Sequence, residues 1–191
     1  MSSGEEILEN LWRFTAVHPE WEEGEDWDAD VAWWAVRGGV GLTLIDPLVE
    51  DWAELDELVR ACGGCAGIVR TLHFHERSIP EAAARYGAEV WAEGPVPGGI
   101  EATPLVRDDE IALWLPEQRA LAFGDAMLRD SDGRLTMCPE SWVTRAGGRT
   151  RLREDLLPLQ ERAPEHVLVS HGPLVLGDGT EALAGALADT R

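Results

Sequence analysis

Apolar runs in this chain are short, and three of them end at once in a residue able to bind a metal. Residues 67–72 lead into His73 and His75, residues 119–123 into Gly124 and Asp125, and residues 166–170 into His171. Apolar runs of this length, bounded by turn residues, read as buried strands. In a layered α/β structure the strand ends share a rim, which is where sites are built. In extended chain, residues i and i+2 face the same way, so His73 and His75 are expected to converge on one ion. Histidine together with carboxylate suits zinc, iron or manganese. One histidine at a strand exit is an ordinary structural residue, and Gly-Asp is an ordinary turn. The repetition at three like positions is what points to a site.

The remaining elements supply the layers. Residues 11–17 read as a first strand, and the acidic, Trp-bearing stretch 20–30 as a loop. Residues 31–37 and 40–45 flank Gly38-Gly39, a two-residue hairpin signal, and Asp46-Pro47 ends the second strand. Trp33 and Trp34 put one indole on each face of that sheet. Residues 51–61 carry Trp52, Leu55, Leu58 and Val59 at helical spacing. A second helix over 79–86 is expected to be capped by Ser78, with Pro80 in its first turn and Gly87 at its end. Residues 88–92 read as a strand, residues 110–115 and 119–123 as a hairpin, and 129–148 as a long irregular segment. Helices over 150–162 and 180–188 bracket a last strand at 166–170. This order predicts an α/β fold: two sheets packed face to face with helices outside, in one domain over residues 1–191.

Composition excludes some partners. The chain of 191 residues is long enough to bury about 70% of its unfolded surface without staples. Its net charge of −20, from 16 basic and 36 acidic residues, repels phosphate backbones and anionic lipid. Neither nucleic acid nor membrane is an expected partner; a small-molecule ligand or substrate is, and dimerisation through an exposed indole is left open. No apolar stretch approaches the ~20 residues of a membrane span. The start, Met1-Ser2-Ser3-Gly4-Glu5-Glu6, lacks the layout of a signal peptide, so the expectation is a cytoplasmic protein. Three cysteines do not make a disulfide framework. Cys62 and Cys65 have CxxC spacing and read as thiols in a Gly-rich turn.

From about Val31 to the C-terminal helix the chain resembles the metallo-β-lactamase-fold superfamily. The likeness runs through Leu44-Ile45-Asp46-Pro47, residues 71–78, residues 121–125 and residues 168–171. It implies an αββα sandwich of two mixed sheets with the site at one edge. The family signature His-x-His-x-Asp-His reads here His73-Phe74-His75-Glu76-Arg77-Ser78. The resemblance therefore carries over His73, His75, Asp125 and His171 as metal positions. Arg77 and Ser78 replace two further ligands, and no histidine stands between Gly99 and Ala120 for a third.

A guanidinium is charged at any working pH and repels a second cation. The expectation is no dinuclear centre, but one zinc (or iron or manganese) or none, with Arg77 paired to Asp125 or Glu76. Two functions follow. One is a hydrolase-derived protein with a depleted metal site, its activity reduced or lost, which binds a small anionic ligand or a partner through Arg77 and Trp142. The other is a mononuclear metal-dependent hydrolase of a small ester, thioester or lactam. In it Asp125 and Arg77 are the candidate catalytic residues and Arg77 steadies an oxyanion. A weaker third reading makes Cys138 a nucleophile with His171 as its base. The loop bearing Trp21 and Trp27 is a candidate lid over the rim.

Overall fold

Burial on both faces builds the first sheet around its longest strand. In the computed structural model, which describes residues 4–25, 27–107, 109–130, 132–144 and 147–189, Trp33 and Trp34 are both buried, on opposite faces of β3 (Asp30–Gly38). The sequence readings that touch residues 1–3, Asp26, Ser131, Arg145 and Ala146 lie partly outside the described residues. β3 lies between β2 (Leu11–Val17) and β4 (Gly41–Ile45), antiparallel to both. β1 (Glu5–Leu8) extends one edge. β5 (Cys65–Val69) and β6 (Val90–Trp91) extend the other, running parallel to β4. The hairpin turn sits one residue later than Gly38-Gly39 suggested. Gly38 pairs with Gly41, so Gly39 and Val40 make the turn. Close approach fixes this, because a Cβ on Gly41 would fall 2.7 Å from the Gly64 carbonyl oxygen.

The second sheet runs β13-β12-β9-β8-β7. It contains β7 (Glu101–Pro104), β8 (Ile111–Leu115), β9 (Ala120–Phe123), β12 (His166–Val169) and β13 (Val175–Leu176). β12 lies parallel to β9. A small hairpin, β10 (Met127–Arg129) with β11 (Leu135–Met137), orders part of the stretch that the sequence left irregular.

Three apolar layers hold the stack. Trp34, Ile45 and Val69 of the first sheet meet Leu113, Ala122 and Leu168 of the second. On the outer face of the first sheet, Leu55 and Val59 of α1 (Trp52–Ala61) and Ile79 and Ala82 of α2 (Ile79–Tyr86) pack on Trp33, Leu44 and Ile68. On the outer face of the second, Leu152 of α3 (Gly148–Leu156) and Leu183 of α4 (Gly179–Ala188) pack on Phe123, Val167 and Val169. The architecture is the αββα sandwich the sequence pattern implied. None of the helices is long and apolar enough to cross a membrane, among the described residues.

Two local expectations fail for local reasons. Ser78 does not cap α2; its Oγ accepts from the Val49 amide at 2.9 Å and ties the helix entry to the Pro47–Val49 loop. β5 ends at Val69, before the histidines, so His73 and His75 are not extended chain. They form one 3₁₀ turn, closed by the His75 amide on the Leu72 carbonyl at 2.9 Å.

Candidate functional site

At one rim of the sandwich, four strand ends deliver polar side chains to a common centre. Asp46 follows β4, Thr71 and His75 follow β5, Asp125 follows β9 and His171 follows β12. The two sheets are stitched there: Val31 bridges His171, and the Ala32 amide donates to the Ser170 carbonyl at 2.8 Å. Asp46 turns the chain with positive φ (50°) and takes the Thr71 amide at 2.7 Å. The Thr71 hydroxyl donates to the other carboxylate oxygen of Asp46. These bonds draw the chain off the sheet after Val69 and start the 3₁₀ turn. With three residues per turn, residues two apart point in different directions. His75 is therefore buried in the centre, while His73 is exposed with its ring against Phe74, centroids 3.8 Å apart.

The centre is a chain of ion pairs. His75 Nδ1 lies 2.9 Å from Asp46 Oδ2, and His75 Nε2 lies 3.1 Å from Asp125 Oδ1. His171 Nε2 approaches the same Asp125 oxygen at 3.3 Å. The second Asp125 oxygen accepts from Arg107 Nη2 at 3.3 Å, and Arg107 Nη1 donates to Glu110 Oε2 at 3.0 Å. Glu110 Oε1 accepts both the Asp125 and Ala126 amides at 3.0 Å, fixing the loop that carries Asp125. Gly124 permits this packing, since a Cβ there would sit 2.6 Å from Thr71 Oγ1.

Arg77 does not pair with Asp125 or Glu76. Its Nη1 donates to the carbonyls of Asp46 (3.2 Å) and Ala32 (3.4 Å). The guanidinium on Asp125 comes from Arg107. Three residues of this centre, Asp46, Arg107 and Glu110, were not singled out from the sequence as site residues. Asp46 had a signal, an Asp-Pro at a strand exit within the resemblance. Arg107 and Glu110 had only their place in the histidine-free window before β8.

Burial and pairing oppose each other in this centre. Burial is the largest influence on His75 and, with the Arg77 charge, favours the neutral ring; Asp125 and Asp46 outweigh both and push the imidazole up to about 9. Burial likewise works against ionised Asp125, but His75 and His171 hold it well below the usual carboxylate range. Burial raises Glu110 despite Arg107. Burial also pushes the Cys138 thiol up to about 12, and the side chain is fully enclosed. Cys138 is therefore a core thiol and not a nucleophile. Cys62 is buried, and Cys65 donates to the Gly67 carbonyl at 3.5 Å.

A cavity of about 520 Å³ opens over the centre. His75, Arg77, Arg107, Asp125 and His171 contribute to its lining, as does His73. Trp27 and Trp142 stand edge-on to the His171 ring, at 5.5 and 5.9 Å between centroids. Trp27 of the acidic loop thus does reach the rim. His18 meets Trp27 edge-on at 5.2 Å, and Trp21 Nε1 donates to the Trp27 carbonyl at 2.8 Å.

Among the described residues, no group of three or more His, Cys, Asp or Glu side chains is disposed to hold a metal ion. A histidine ligand needs a bare lone pair. Both ring nitrogens of His75 instead face carboxylate oxygens, the pattern of a doubly donating imidazolium. Asp125 already serves two imidazoles and a guanidinium.

The sandwich with its site at the joined strand ends is the metallo-β-lactamase fold, and solved structures agree. The chain superposes on the DIM-1 metallo-β-lactamase with a TM-score of 0.67 at 15% identity, covering 97% of this chain and 96% of that one. It also matches a metallo-β-lactamase family protein from Thermus thermophilus (TM-score 0.57, 14% identity, 95% and 79% covered). A third match is FIM-1 from Pseudomonas aeruginosa in its mono-zinc form (TM-score 0.57, 13% identity, 97% and 94% covered). No known protein family matches by sequence profile, and no curated protein matches by sequence. At these identities the likeness establishes the fold.

Proposed function

We propose that this protein keeps the metallo-β-lactamase sandwich but holds an ion cluster of its own side chains where a metal centre would stand. Its hydrolytic activity is reduced or lost, and its cavity binds a small anionic ligand. The observation that carries the reading is His75, held at both ring nitrogens by Asp46 and Asp125. Arg107 on Asp125 supports it, because a guanidinium on the free carboxylate oxygen replaces the charge a cation would supply. Arg77 supports the anionic ligand: it lines the cavity, and among the described residues only Nη1 of its three guanidinium nitrogens has acceptors.

The test is elemental analysis of protein purified without chelators or added metal, with thermal unfolding with and without EDTA. The expected result is substoichiometric metal and an unchanged melting temperature. A metal that binds only the folded state stabilises it, so its removal lowers the melting temperature. One equivalent of tightly held metal, lost with a clear fall in melting temperature, overturns the proposal. It would favour the second reading, a mononuclear metal-dependent hydrolase of a small ester, thioester or lactam. That reading has one observation of its own: His75 Nε2 and His171 Nε2 converge on a single oxygen of Asp125.

A further inference from the structure

The cavity lining carries charges of opposite sign and different burial. In that lining Arg77 leaves Nε and Nη2 without acceptors among the described residues, and Nε is buried. These nitrogens form the edge of the guanidinium that takes a carboxylate side-on. Arg85 shows that contact elsewhere in the molecule, with Nε on Asp56 Oδ1 at 2.7 Å and Nη2 on Oδ2 at 2.5 Å. Two further buried nitrogens in the lining, Arg107 Nε and His171 Nδ1, have no partner among the described residues either. The walls are aromatic: Trp27, Trp142 and Phe74, the last of which is 63% exposed. Glu20 and Glu25, both exposed, also line it.

A simple anion is a poor match for that layout. Two exposed carboxylates line the same cavity as Arg77, on a chain of net charge −20, and repel it. An inorganic anion also leaves most of the 520 Å³ unfilled. A cationic group at the ligand's other end turns the repulsion into attraction, and the tryptophan rings add a face for it. We infer that the cavity takes a zwitterion: a carboxylate on the free edge of Arg77, an apolar body along Trp27 and Trp142, and an ammonium between Glu20 and Glu25. This inference rests on the anion-binding reading of the same cavity and names the ligand class.

The test uses the whole protein and three forms of one probe in titration calorimetry. They are the dipeptide Ala-Phe, its N-acetyl form (anion only) and its C-terminal amide (cation only). The free dipeptide is expected to bind at least about tenfold tighter than either blocked form, each loss removing one charged contact of about 1.4 kcal/mol or more. The double variant Glu20→Gln/Glu25→Gln, changed only at exposed positions, should bring the free dipeptide to the affinity of the N-acetyl form. Arg77→Met should abolish the advantage of the free dipeptide over the amide. The probe series on unaltered protein stands even if Arg77→Met fails to fold. N-acetyl-dipeptide binding as tight as the free form overturns the zwitterion while leaving the anion site intact. Binding of the amide alone overturns both readings, and no binding by any form overturns the zwitterion.

Discussion

Replacing Arg107 with methionine tests whether the rim is a charge cluster built to stand without a cation from solution. Arg107 is 3% exposed and joins two carboxylates, Glu110 (0% exposed) at 3.0 Å and Asp125 (8% exposed) at 3.3 Å. Methionine fills much of the volume but removes the charge, leaving Glu110 without a cationic partner while Asp125 keeps His75 and His171. Breaking a buried ion pair from one side costs about 3–5 kcal/mol, because the abandoned charge stays desolvated. For a chain of this length each kcal/mol shifts the melting temperature by roughly 2–4 °C, so a fall on the order of 10 °C is expected. Urea unfolding followed by tryptophan fluorescence gives the free energy directly. The double variant Arg107→Met/Glu110→Gln removes one stranded charge and should recover more than half of the loss. If Arg107→Met costs less than about 1 kcal/mol, the value of an exposed pair, Arg107 does not neutralise the cluster and the argument fails.

Stability should depend on alkaline pH through His75. Its folded pKa, near 9, lies above the ordinary value of 6.5, so its contribution is full below about 6.5 and is lost as pH rises through 9. A rise from 6.5 to about 9 corresponds to roughly 3–4 kcal/mol as an upper bound. Glu110, raised by burial to about 7, crosses only the lower part of this window, while the sixteen basic residues are all arginine and burial raises all three thiols. Urea unfolding at pH 6.5, 8 and 9.5 should show the decline, and His75→Gln should flatten it; an unaltered slope in the variant would assign the decline elsewhere. Cys138 should resist a maleimide in the native protein and label only after unfolding. Rapid native labelling with one equivalent at Cys138 would contradict its place in the core.

The amino-acid sequence by itself determined the layers. Adjacent indoles at Trp33 and Trp34 facing opposite ways, helical spacing from Trp52 to Val59, and Gly87 at the end of α2 are local signals, and the structure follows them. It also located the rim, since polar residues directly after apolar strands must lie where strands end. The partnership at the centre was decided by tertiary structure alone. Arg77 and Arg107 are both arginines beside a strand end, and nothing local tells which one reaches Asp125. His73 and His75 part company because Asp46, 25 residues before Thr71, pulls the chain into a 3₁₀ turn instead of extended backbone. Charge pairing in a buried site depends on distances of about 3 Å between residues tens of positions apart. Such distances are fixed only when both sheets have packed.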